Sequence, residues 1–70
     1  MEPVEQFAQN LRRARTARGL SQEALGDESG MHRTEISLLE RGAREPRLGT
    51  IVRLARGLGI RPAELLAKIA

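Results

Sequence analysis

Residues 21–42 read SQEALGDESGMHRTEISLLERG, and this stretch decides the fold. Ser21 is a favourable N-cap, its hydroxyl suited to accept one of the free N–H groups of a first helical turn. A short helix is expected from there through Leu25 to about Glu28. Glu28-Ser29-Gly30-Met31 interrupts it, with Gly30 where a left-handed turn residue is wanted. A second short helix is expected to begin near His32 and end at Arg41, closed by Gly42. It buries a narrow stripe, Ile36 and Leu39, with Met31 just outside as a hydrophobic staple. His32 is a weak N-cap, but Glu35 is spaced to reach back to its N–H. The first of the two helices needs small residues where the second crosses it. Ala24 and Gly26 supply them, Gly26 costing roughly 1 kcal/mol in helix propensity. Two short helices joined by such a turn make a helix-turn-helix candidate.

Helical spacing continues on both sides. From about Pro3 to Arg18, Val4, Phe7, Ala8, Leu11 and Ala14 fall on one face, with Pro3 suited to a first turn and Gly19 to the stop. A turn around Ala43–Pro46 leads to a helix over about Leu48 to Leu58. There Leu48, Ile51, Val52, Leu54, Ala55 and Leu58 form a broad apolar face that Gly57 and Gly59 weaken and end. A last helix starts at Pro62 and carries Leu65, Leu66 and Ile69. Arg47 and Arg61 are poor caps for these two starts. The expectation is an all-α domain of five short helices over residues 1–70, with the reading unit in helices two and three.

Seventy residues without a cysteine must fold on an aliphatic core, since neither disulfides nor a thiolate metal site can help. Phe7 is the sole aromatic side chain. No apolar run reaches bilayer length, and residues 1–20 lack a signal-peptide core; a cytoplasmic protein is expected. The net charge is +3, yet eleven of the twelve basic residues are Arg, Lys68 being the exception. Guanidinium groups bond phosphate and guanine in bidentate fashion, which suits a nucleic-acid partner; biased codon usage gives the same composition. Once Ile36 and Leu39 are buried, the second helix of the pair presents Arg33, Thr34, Ser37, Leu38 and Arg41. These are donors, hydroxyls and one aliphatic group, the types that read base edges and phosphates.

Residues 11–66 resemble the Cro and phage-repressor (XRE-type, lambda-repressor-like) helix-turn-helix family. The likeness lies in LRRARTARGLSQEALG, SGMHRTEISLLERGAREP and LGTIVRLARGLGIRPAELL. Leu-Ser-Gln at 20–22, Ile36-Ser37, Glu40-Arg41-Gly42 and Pro46 stand at the family's spacing. HRTEISLLERGAREP also resembles the recognition segment of controller proteins of restriction–modification operons. The resemblance implies five helices and a homodimer on double-stranded DNA, with palindromic half-sites about one helical turn apart. It implies that Gln22, opening the second helix, bonds a phosphate and braces the recognition helix, and that Arg15 and Glu40 form an ion pair between the first and third helices.

Roles for the remaining residues follow from this frame. Arg33 and Thr34 lie in the first turn of the recognition helix. Arg33 suits guanine or a phosphate clamp, and Thr34 a thymine methyl. Ser37 follows them; Leu38 suits a thymine methyl or the edge of the core. Glu35 reads as a helix cap, with a bond to cytosine as the alternative. Arg41, Arg44 and Arg47 are expected to clamp phosphates, and His32 to reach one. Of Arg12, Arg13 and Arg18, one is placed to reach the DNA backbone, and the rest read as solubilising the first helix. Leu58, Ile60, Leu66 and Ile69 are candidates for a dimer interface, the alternative being that they complete the core.

No nucleophile–base pair, metal cluster or phosphate-binding glycine loop is visible, so no enzyme, metal, cofactor or small-molecule ligand is expected. A module that binds only protein, such as an antitoxin or coactivator, is the competing class; the Arg-rich rim disfavours it. The chain reads as self-contained rather than as the N-terminal part of a longer regulator.

Overall fold

A computed structural model describes residues 1–70. Five helices follow one another: α1 (Pro3–Ala17), α2 (Gln22–Ser29), α3 (Arg33–Glu40), α4 (Leu48–Leu58) and α5 (Pro62–Leu65). The ends fall where the capping chemistry predicts. Glu2 N–H donates to Glu5 Oε1 at 3.0 Å, closing the start of α1. Ser21 Oγ accepts from Ala24 N–H at 3.0 Å at the start of α2. Gly30 ends α2 in the left-handed region, φ 69°.

The core gathers Phe7, Leu11, Leu25, Ile36, Leu39, Leu54, Ala55, Leu58 and Leu65, with contributions from every helix. Full burial of one such aliphatic or aromatic side chain is worth about 1.5–3 kcal/mol. Two glycines set how closely the elements approach. A Cβ on Gly26 would collide with the backbone carbonyl of Met31, so the tight α2–α3 turn itself demands the missing side chain there. A Cβ on Gly57 would strike Ser29 Oγ and the Glu28 carbonyl, so α4 lies directly against the last turn of α2. Gly57 therefore serves packing and does more than weaken a helix.

Three expectations change. Leu48 does not join the apolar face of α4: it is 78% exposed, because it stands at the first position of the helix, beyond the edge of the core. Glu35 does not cap α3. His32 does so itself, its Nδ1 accepting from Thr34 N–H at 3.1 Å, while the Glu35 carboxylate turns to Arg44. The last helix stops at Leu65 instead of running on toward Ile69. Asn10, 5% exposed, explains the stop. Its Nδ2 donates to the carbonyls of Leu65 at 2.9 Å and Ala67 at 2.8 Å, taking acceptors that a continuing helix would use. Ile69 N–H bonds Leu66 O instead, and Lys68 takes a positive φ of 66°.

Candidate nucleic-acid interface

Helix α3 turns one side inward and leaves the other free. Ile36 and Leu39 are completely buried and Glu40 is 3% exposed. Arg33 and Thr34 in the first turn are exposed, Ser37 and Leu38 are half-buried, and Arg41 is exposed at the C-cap. The expected base-reading residues thus share one helix, the first two exposed to solvent.

The inward end of α3 is fastened by Glu40. Arg15 grips its carboxylate with two bonds, Nε to Oε2 at 2.6 Å and Nη2 to Oε1 at 2.9 Å. Gln22 Nε2 adds a third, to Oε1 at 3.2 Å. Arg12 donates to the Glu40 backbone carbonyl at 3.1 Å, and Arg15 also donates to Leu20 O at 2.8 Å. The paired carboxylate holds the Arg15 guanidinium above its ordinary pKa; the hydrogen bonding that Arg15 donates to Glu40 is the main cause, and the carboxylate's charge adds to it against the opposing effect of burial. One buried acid therefore joins α1, the opening of α2 and the end of α3. The expected Arg15–Glu40 pair is present. Gln22 braces α3 from the position where the family resemblance also puts a phosphate contact.

The α3–α4 loop folds back along the opposite end of α3. Arg44 Nη1 bonds Glu35 Oε1, and together with His32, Arg47, Thr50 and Arg53 these residues line an open groove of about 500 Å³. Met31 is its one apolar lining residue. His32, accepting through Nδ1, keeps an N–H on Nε2 for an anion. Arg41 and Arg47 are exposed and make no ion pair. Arg18 is spent elsewhere, donating to the Leu58 carbonyl. Arg53 was not legible as part of this groove. The available signal was that α4 carries Thr50 and Arg53 one turn apart, opposite its apolar face, and no acidic residue.

The four residues expected at a dimer interface do not share a surface. Leu58 is 1% exposed and belongs to the monomer core. Gly59 then reverses the chain at φ 69°, and Ile60 N–H bonds back to Ala55 O at 2.9 Å. Ile60 consequently lies half-buried in a hollow with Ala14 and Arg18. Leu66, 41% exposed, and Ile69 line a different, apolar hollow of about 170 Å³ with Val4, Phe7, Pro46 and Ile51.

A paired helix-turn-helix with one helix face left free, braced from behind and flanked by arginines, defines a DNA-binding helix-turn-helix protein. Residues 11–65 match the helix-turn-helix family model, and the chain belongs to that family of transcriptional regulators. It is similar to the control protein C.BamHI of Bacillus amyloliquefaciens, 41% identical over 61 residues, covering 86% of this chain and 75% of that one. It is also similar to the control protein C.SmaI of Serratia marcescens, 40% identical over 68 residues, covering 97% and 81%. A longer relative, the uncharacterized HTH-type transcriptional regulator y4dL of Sinorhizobium fredii, is 45% identical over 57 residues; these make up 81% of this chain and only 29% of that protein. Among solved structures, the restriction-modification controller protein C.AhdI from Aeromonas hydrophila superposes with a TM-score of 0.86 at 47% identity, covering 89% of this chain and 94% of that one. No helix is long and apolar enough to cross a membrane.

Proposed function

We propose that this protein regulates transcription by binding a palindromic operator as a homodimer, in the manner of a restriction–modification controller. Each protomer lays α3 in the major groove. Arg33, Thr34, Ser37 and Leu38 meet base edges, and Gln22, His32, Arg41, Arg44 and Arg47 hold phosphates on either side. The two recognition helices lie about one helical turn apart, ~34 Å. Leu66 and Ile69, on the apolar hollow beside α1, meet their counterparts in the second protomer, and the protein works in the cytoplasm without catalysis.

The observation that carries this reading is the division of α3. A buried acid at one end fixes the helix with three side-chain bonds, while Arg33 and Thr34 at the other end are left in solvent. A surface helix with no ligand to meet gains little from being so firmly fixed. The test is selection from a pool of random duplex DNA at two salt concentrations, followed by sequencing of the bound fraction. A palindrome bound with steeply salt-dependent affinity is the expected outcome. Weak, sequence-blind binding at low salt would refute the proposal.

A further inference from the structure

The arginines of the groove do not end with the α3–α4 loop. Arg53 stands on α4, outside the helix-turn-helix, and lines the same groove as His32, Arg44 and Arg47. It is exposed and makes no ion pair. Two carboxylates touch the groove. Glu35 is already bonded to Arg44, and Glu45 stands at the rim, shared with the apolar hollow on the other side of the loop. Neither engages Arg53 or Arg47. Helix α4 carries no acid of its own, so nothing along it offsets these charges.

We infer that Arg53 is a phosphate-binding residue, seating the DNA backbone in the groove between the start of α3 and the outer side of α4. The inference rests on α3 being the helix that enters the major groove. With α3 so placed, the strand running past His32 and Arg44 meets Arg47 and then Arg53, one and a half turns along α4, with Thr50 between them as a hydroxyl donor. A guanidinium with no partner in the free protein gives up no internal bond when it binds a phosphate. Its contribution is therefore electrostatic and indifferent to base sequence.

The test compares three full-length variants, Arg53→Ala, Arg53→Lys and Arg13→Ala, on random-sequence duplex DNA across a salt series. Arg13 is also exposed but lines the hollow that holds Ile60, away from α3, and removing it changes the net charge by the same amount. Arg53→Ala is expected to weaken binding and to lower the slope of log affinity against log salt by about 0.9 per bound chain. Arg53→Lys keeps most of the slope, and Arg13→Ala keeps nearly all of it. Thermal midpoints stay level across the set, since neither arginine side chain makes a hydrogen bond or ion pair in the protein. An Arg53→Ala slope equal to that of the wild type, or lowered no more than by Arg13→Ala, would overturn the inference while leaving the DNA-binding reading intact. A wild type that binds no duplex at low salt would remove both.

Discussion

Arg15 and Glu40 meet edge to edge between α1 and α3, with nitrogen–oxygen distances of 2.6 and 2.9 Å. The acid side chain is 1% exposed and the arginine side chain 15%. Charges this far from water are stable only while matched: an unpaired buried carboxylate costs several kcal/mol. Arg15→Ala leaves Glu40 with Gln22 and a distant Arg12 contact, and is expected to cost about 3–5 kcal/mol of stability. Urea unfolding measures it. A cost below about 1 kcal/mol, typical of a surface pair, would show that the pair does not hold α3.

Glu35 and Arg44 pair differently, in reach of solvent and on the side that the proposed function turns toward DNA. Removing the acid takes away a charge that repels phosphate and releases a guanidinium to bind one. Glu35→Gln is expected to tighten binding to random duplex DNA several-fold and to steepen its salt slope by about 0.9 per chain. Unfolding should shift by less than about 1 kcal/mol. Unchanged or weaker non-specific binding would mean that Arg44 does not reach the backbone.

Asn10 ties the C-terminal turn to α1 through the carbonyls of Leu65 and Ala67, and accepts from Gln6 Nε2 at 3.0 Å. Each buried neutral bond contributes about 1 kcal/mol. Asn10→Ala should therefore lower stability by about 2–3 kcal/mol and open the last residues first. Amide hydrogen exchange reads this directly, through faster exchange at Ile69 than across α2 and α3. Uniform acceleration along the chain would argue against a separable C-terminal turn.

Leu66 lies at the edge of the apolar hollow and is 41% exposed. Leu66→Asp should leave the fold intact, as an exposed substitution does, and should shift a dimer toward monomer in light scattering at micromolar protein. Leu58→Asp, in contrast, should abolish folding, because Leu58 is in the core. A Leu66→Asp protein of unchanged oligomeric state would place the interface elsewhere.

Helix positions, turn glycines and the stripe of Ile36 and Leu39 were legible in the sequence, because each follows from local spacing and backbone geometry. What spacing could not supply were bonds between distant residues. Asn10 sits on α1 at a position that reads as polar surface, yet it is buried by a segment more than fifty residues away. Glu35 fits the spacing of a capping acid, and only the return of the loop brings Arg44 within its reach. Leu58 and Leu66 read as equals in an apolar C-terminal region, but the reversal at Gly59 sends one inward and leaves the other at the surface. Arg53 belongs to the groove because α4 packs against α2 and the α3–α4 loop returns beside it; the acid-free polar side of α4 was visible in the sequence, but not what that side meets.

The most direct test of the central claim compares the sequences selected from random duplex DNA by the wild type and by Arg33→Ala. If α3 reads the major groove of a palindrome, the wild type selects two matching half-sites. The variant then loses its preference at one base position in each, at a cost of about 1–3 kcal/mol per contact. If the variant loses affinity evenly for all sequences, with a lower salt slope, Arg33 holds a phosphate and does not read a base. If the wild type itself selects no palindrome, the account of a dimeric groove reader is contradicted.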